Sequence, residues 1–219
     1  MHGQVPLCGE MLNSGPEIPG NLYFSNDINA ENLPYLFFNW FKGSIRLVNG
    51  KFVDGIYLQL NTSNNHLIYK NVHLNVLESI DHRNLKDFSV TDPDNSRIRI
   101  FRWLDIHNFH LADTTGFFAE LLGEGNCSVY ALRYSERKSS YPIGQLNVQR
   151  YYYYSSSFYY FLDEKGQYIH FRPSNRAVKK MMKKYKAEIA NFVRKEHLNS
   201  KNEPDLVKVI QYINSLNKD

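Results

Sequence analysis

SNRAVKKMMKKYKAEIANFVRK, residues 174–195, is followed after a short break by NEPDLVKVIQYINSL, residues 202–216. In the first stretch Val178, Met182, Tyr185, Ile189, Phe192 and Val193 recur every three or four residues, while Lys179, Lys180, Lys183, Lys184 and Lys186 fall largely off that stripe. This spacing predicts one amphipathic helix with Ser174 or Asn175 as its cap. In the second stretch Asn202 precedes Pro204 in the first turn, and Leu206, Val209, Ile210, Ile213 and Leu216 form an apolar face. Upstream the period is two rather than 3.6, so the chain reads as a strand-rich body closed by a helical hairpin. Both apolar helix faces need a partner, and the sheet is the nearest one.

Working back from the helices, Asp163-Glu164-Lys165-Gly166 separates Tyr159–Leu162 from Tyr168–Phe171, and Gly123-Glu124-Gly125-Asn126 separates Phe117–Leu122 from Cys127–Tyr134. Both read as hairpin turns. Near the start of the body, Ile45 and Leu47 alternate with Ser44 and Arg46, Asn49-Gly50 supplies the left-handed backbone a tight turn requires, and Ile56, Leu58 and Leu60 resume the alternation. Between these lie a polar loop at Asn61–Asn65, strand-like His66–Tyr69, and a two-residue period at Val72, Leu74 and Val76. Asp92-Pro93-Asp94-Asn95 reads as a turn before a strand in which Ile98 and Ile100 alternate with Arg97 and Arg99. Connections this short exclude helical crossovers and favour antiparallel pairing. The expected fold is α+β: an antiparallel meander sheet at 39–172, open or curled toward a barrel, with a helical hairpin at 173–219 packed on it. A Gly- and Pro-rich leader at 1–38 is expected to drape over the body as part of one domain.

Composition agrees. Of 219 residues, 15% are aromatic, with 16 Tyr and 14 Phe, so β-formers replace the Leu and Ala of a helical protein. A chain of this length buries roughly 70% of its unfolded surface as one domain and needs no metal or disulfide staple. The net charge of +4 is a mild excess concentrated in one helix, which disfavours nucleic acid as the partner. Cys8 and Cys127 are too few for a disulfide scaffold; a single bridge between them and a buried free thiol are both open readings. No run reaches the ~18 apolar residues of a membrane helix, and Met1–Gly20 lacks the charged and apolar regions of an export signal, so any such signal is expected to have been removed.

The order Lys42-Gly43-Ser44-Ile45, Asn49-Gly50, Gly55-Ile56-Tyr57-Leu58, Phe117-Phe118-Ala119-Glu120-Leu121-Leu122 and Tyr130-Ala131-Leu132-Arg133-Tyr134 resembles an uncharacterised family of exported proteins from Bacteroidota-type bacteria. Tyr160-Phe161-Leu162, the lysine-rich helix and Asn202-Glu203-Pro204-Asp205-Leu206 continue the likeness, which covers most of Gly43–Leu216. It implies a removed signal peptide and an extracytoplasmic location, in the periplasm or at the cell surface. Its motifs are turn and core patterns, so it transfers no functional residue.

Asp105, His107, His110 and Asp113 fall close together and are the residue types that bind zinc or perform acid–base chemistry near neutral pH. Their spacing suits no single strand face, and Asp113-Thr114-Thr115-Gly116 reads as a turn, so structural or solvent-facing roles are the ordinary explanation. The run Tyr151–Tyr160 is the most unusual composition in the chain. On a strand its tyrosines face alternate sides, which makes an ordinary aromatic strand, or a ligand platform carried by Tyr152 and Tyr154. The lysines of the helix read as a solvated face. No phosphate loop, dinucleotide fingerprint or serine elbow occurs. The expected function is therefore non-catalytic binding or scaffolding of a protein or glycan at the cell envelope through Tyr152 and Tyr154, without a cofactor. The alternative is a metal-assisted hydrolase using Asp105, His107, His110 and Asp113.

Overall fold

A computed structural model describes residues 18–24, 30, 32–92, 97–107, 111, 116–125, 127–140, 149–163 and 165–216. Among them eleven strands form one antiparallel sheet: β1 (Gly20–Leu22), β2 (Phe41–Leu47), β3 (Phe52–Asn61), β4 (His66–Asn71), β5 (Val76–Ile80), β6 (Leu85–Thr91), β7 (Ile98–Leu104), β8 (Phe117–Gly123), β9 (Ser128–Ser140), β10 (Arg150–Leu162) and β11 (Tyr168–Phe171). Helices α1 (Asn175–Met181), α2 (Lys186–Lys195) and α3 (Glu203–Ser215) follow. The α+β expectation holds, with the sheet open rather than closed. Part of the leader joins the sheet: β1 is an edge strand on β5, and Ala30 bridges to Tyr151.

Spatial order is β1-β5-β4-β3-β2-β6-β7-β8-β9-β10-β11, so two meanders are stitched together by β2 against β6. This order forces curvature. Ile80 ends β5 and Leu85 begins β6, four strand positions apart in the sheet. Flat strands would put them about 19 Å apart, whereas five fully extended residues reach at most about 18 Å. The link is shorter still, because His82–Asn84 form a 3-10 turn capped by Asp81. The first meander must therefore roll over the second, and the rolled interior is filled by Ile45, Leu58, Leu67, Phe88, Phe101 and Phe118.

The hairpin turns at Asn49-Gly50, Gly123–Gly125 and Asp163–Gly166 stand where predicted, with Gly50 at φ +87° and Gly166 at φ +75°. Three local readings are corrected. Val72 and Leu74 lie in the β4–β5 turn, 56% and 68% exposed, because Asn71 and left-handed Asn75 close the turn before Val76 starts the strand. In β7 the expected facing is inverted: Ile98 is 63% exposed, whereas Arg99 shares the inner face with Phe101. The predicted single helix breaks at Met182 into α1, a short 3-10 turn at Lys183–Tyr185, and α2. Lys179, Lys180, Lys183 and Lys184 repel at helical spacing with no acidic residue before Glu188, which weakens a continuous helix there. Its apolar stripe survives the break, for Val178, Met182, Tyr185 and Ile189 are all buried.

The helices cover the other end of the same inner face, where Leu122, Val129, Ala131 and Phe161 meet Ile189, Leu206 and Ile210. Asn214 of α3 accepts from Cys127 N at 2.7 Å and donates to Cys127 O at 3.0 Å, which clasps the helix to the sheet. The Cys127 thiol is free and buried, and burial pushes its pKa up to about 12, so it acts as a small apolar residue; Cys8 lies outside the described residues. Gly123 lets α3 approach, because a Cβ there would sit 2.4 Å from Ile210 Cγ2. Gly123→Ala is expected to lose about 1–3 kcal/mol of stability in urea melts. A loss below about 0.5 kcal/mol, the ordinary range of surface changes, would show that the helix yields freely.

Between the two apolar ends lies a buried ion cluster. Glu120 of β8, 1% exposed, receives Arg99 in a fork at 2.9 and 2.6 Å and Arg133 Nε at 2.8 Å, with Arg97 at 3.9 Å. Arg133 also grips Glu203 at the first turn of α3, at 2.8 and 2.7 Å, and Tyr159 donates to the same carboxylate at 2.7 Å. The cluster joins five elements, with β7, β9 and β10 tied to one carboxylate pair on β8 and α3.

Candidate functional site

The rolled first meander leaves a cleft of about 750 Å³ where the β3–β4 turn meets the ends of β7 and β8. The turn is held by a side-chain latch. Asn65, at φ +58°, donates from Nδ2 to Phe118 O at 3.1 Å and accepts from Phe118 N at 2.6 Å, taking the place of a neighbouring strand. Thr62 adds a second tie: its Oγ1 lies 2.8 Å from Ser135 Oγ and 2.7 Å from Pro34 O, and Ser135 N donates to Thr62 O at 3.2 Å. Within the turn, Asn61 Oδ1 accepts from Ser63 N and Oγ, and Asn61 Nδ2 donates to Tyr23 OH at 2.9 Å. The last bond joins the turn to the β1 side of the cleft.

The opposite wall is aromatic. Trp103, near the end of β7, stacks on His82 with ring centroids 3.7 Å apart and planes 9° off parallel, and meets the edge of Phe118 at 5.1 Å. Its indole Nε1 donates to Asp105 Oδ1 at 2.7 Å. Gly116 makes room for the ring, since a Cβ there would lie 2.7 Å from Trp103 Nε1 and 2.3 Å from Leu104 O. The β1 lip carries Tyr23, Leu22 and Phe24, the last two 62% and 79% exposed.

Charge in the lining is slight. Asp81 is gripped by Arg83, whose hydrogen bonds hold its pKa down to about 2, and no Lys or Arg among the described residues lines the cleft. Partial burial lowers the pKa of His66 below 6.5, although the residue stands at the rim with solvent access. Its imidazole therefore favours the neutral form, which both donates and accepts.

The sequence-predicted site residues lie elsewhere or apart. Tyr152 and Tyr154 share the outer face of β10, with Tyr154 60% exposed beneath Lys138 Nζ at 5.3 Å from its ring centroid. Phe158, two strand periods beyond Tyr154, continues that face and meets Tyr134 and His170, each at 6.1 Å between ring centroids. Asp105 is engaged by Trp103, His107 is exposed, and His110 and Asp113 lie outside the described residues. Among the described residues no three His, Cys, Asp or Glu side chains converge on one point. The cleft residues Trp103, His82 and Asn61–Asn65 escaped the sequence reading because they meet only after the sheet rolls. Their one sequence signal was a polar turn rich in Asn. No described helix is long and apolar enough to cross a membrane. Compared with known proteins, the chain matches no family model, no curated protein and no solved structure.

Proposed function

We propose that the protein is an extracytoplasmic binding domain that performs no chemistry of its own and holds a ligand in the cleft beside Trp103. The observation that carries this reading is the cleft: its volume of about 750 Å³ falls in the range of small-molecule sites, about 300–1,000 Å³, and aromatic walls flank convergent polar groups. The latch at Asn65 and the indole bond to Asp105 fix its walls before any ligand arrives, which lowers the entropy cost of binding. The extracytoplasmic placement rests on the likeness of the strand and helix patterns to exported proteins. A catalytic use of Asp105 would require it to leave the indole it holds.

Trp40 and Trp103 are the two tryptophans, so Trp40→Phe leaves Trp103 as the single fluorescent reporter. Fractionated glycans, peptides and nucleosides from a bacterial cell envelope are expected to include one that changes Trp103 emission saturably and is recovered unaltered. Recovery of a chemically converted compound, or no response to any fraction, would overturn the reading. The exposure of Tyr154 supports a second reading, in which the outer face of β10 receives a partner protein or glycan. Binding through that face would leave Trp103 emission unchanged and fall away in a Tyr152→Ala, Tyr154→Ala double variant.

A further inference from the structure

We infer that the cleft takes a neutral oligosaccharide. This rests on the cleft being the binding site, and it specifies what the cleft selects. A ligand phosphate or carboxylate would have to shed its water in a lining whose described residues offer no Lys or Arg in return, which is costly for a charge. A cationic ligand fares no better, because Asp81, the one carboxylate among the described lining residues, is already gripped by Arg83. Neutral ligands are left.

Hydrogen-bonding groups remain available at the cleft. Asn64 spends its carbonyl oxygen on His66 N at 3.1 Å, while its Nδ2 has no partner among the described residues. The side chain of Asn21 and the imidazole of His66 are likewise without hydrogen bonds among the described residues. A primary amide and a neutral imidazole each both donate and accept, and so does a sugar hydroxyl. The flat aromatic surfaces supply the other half of the match. A pyranose ring carries a patch of C–H groups on its face and hydroxyls around its rim, so the face can lie on an aromatic ring while the rim reaches the amides. Tyr23 and Phe24 on one lip and the His82–Trp103 stack on the other provide rings on both sides. A peptide recognised by its side chains would need deep apolar pockets, and the polar turn at residues 61–66 supplies none.

The test titrates the full chain with neutral gluco-, manno-, xylo- and N-acetylhexosamine oligosaccharides, alongside uronic-acid and sulfated counterparts and unphosphorylated nucleosides. Nuclear magnetic resonance follows the Trp103 indole N–H and the side-chain amides of Asn21 and Asn64. At least one neutral sugar is expected to shift these signals saturably and to bind better than its charged counterpart. Asn64→Ala and Asn21→Ala, both at exposed positions, are each expected to weaken it about threefold to tenfold, the worth of one hydrogen bond. Tyr154→Ala is expected to leave it unchanged. Trp103→Ala is expected to lose the shifts of the asparagine amides; should it fail to fold, the two asparagine variants decide the matter. The inference is overturned if no neutral sugar shifts these signals, if charged sugars or nucleosides bind better, or if both asparagine variants bind as well as the parent. A Trp103 emission response to some envelope fraction together with silence from the neutral sugars would sink the sugar class alone. Silence in both experiments would sink the binding cleft as well.

Discussion

Glu120→Ala is expected to remove about 3–5 kcal/mol of stability, the usual cost of stripping one partner from a buried ion pair. Glu120 is 1% exposed, and Arg99 and Arg133, whose side chains are 13% and 14% exposed, both depend on it. Alanine would leave two guanidinium groups facing each other across β8 with Glu203 and Asp92 as their remaining nearby carboxylates. Glu120→Gln keeps the volume but not the charge, and should recover only part of the loss. Urea denaturation reads both. A Glu120→Ala loss under about 1 kcal/mol, the range of an exposed pair, would show that water already screens the cluster.

Acid should reach the same cluster through Glu203. Burial alone would raise its pKa, but the hydrogen bonds and charge of Arg133, with the Tyr159 hydroxyl, outweigh burial and hold it below 4.5. Because the folded value is depressed, the unfolded chain binds this proton more readily. The contribution is present above pH 4.5 and is lost as pH falls from there through the folded pKa. Tyr159, pushed up to about 12 by burial and then by Glu203, remains a donor throughout that window. Hydrogen exchange should therefore show the first turn of α3 opening earlier under acid than the centre of β8. Equal protection of both at every pH would contradict this.

How far the sequence could carry the fold depended on the range of each interaction. Asn49-Gly50 and Gly166 were legible because a positive φ is a local demand that glycine meets. The stripe from Val178 to Ile189 was legible because burial imposes a period on neighbouring residues. Arg99 was misread as outward because its partner, Glu120, lies 21 positions away and on another strand. The roll of the sheet was hidden for the same reason, since it follows from β2 pairing with β6 across the intervening strands. A Trp at the end of a strand and a His in a short turn gave no sign that they would stack. The asparagines were hardest to read, because their role is neither burial nor exposure. Asn32 on Tyr153, Asn65 on Phe118 and Asn214 on Cys127, the residue before β9, each use one amide to accept a backbone N–H and donate to the same residue's C=O. Each stands in for one residue of a missing strand, and sequence pattern distinguishes none of them from a solvated turn residue.

Asn65→Ala should be nearly as damaging as the loss of Glu120. Phe118 is 2% exposed, so its N–H and C=O have no water to turn to once the amide is gone. An unpaired buried polar group costs about 1–3 kcal/mol, and two are left. Alanine also tolerates φ +58° less well than asparagine, which adds up to about 1–2 kcal/mol. The costs sum to about 3–8 kcal/mol, and the lower part of that range, about 3–5 kcal/mol, is expected because the freed turn can relax around Phe118. Asn65→Gly separates the two causes, since glycine accepts the backbone angle while still abandoning Phe118; its loss is expected to be about 1 kcal/mol smaller. Asn65→Asp keeps the acceptor for Phe118 N but turns a second oxygen toward Phe118 O, so it should restore protection of the Phe118 amide without restoring stability. If all three variants melt within about 0.5 kcal/mol of the parent, the latch is not what holds the roll. The same series bears on the cleft, because Asn65 fixes the turn that carries Asn61, Ser63 and Asn64. In folded Asn65→Gly at low temperature, a loosened turn should weaken any ligand that reports through Trp103 even though no lost group touches the indole. Undiminished binding in that variant would mean that the β1 lip and the aromatic wall suffice, and that the turn serves the fold alone.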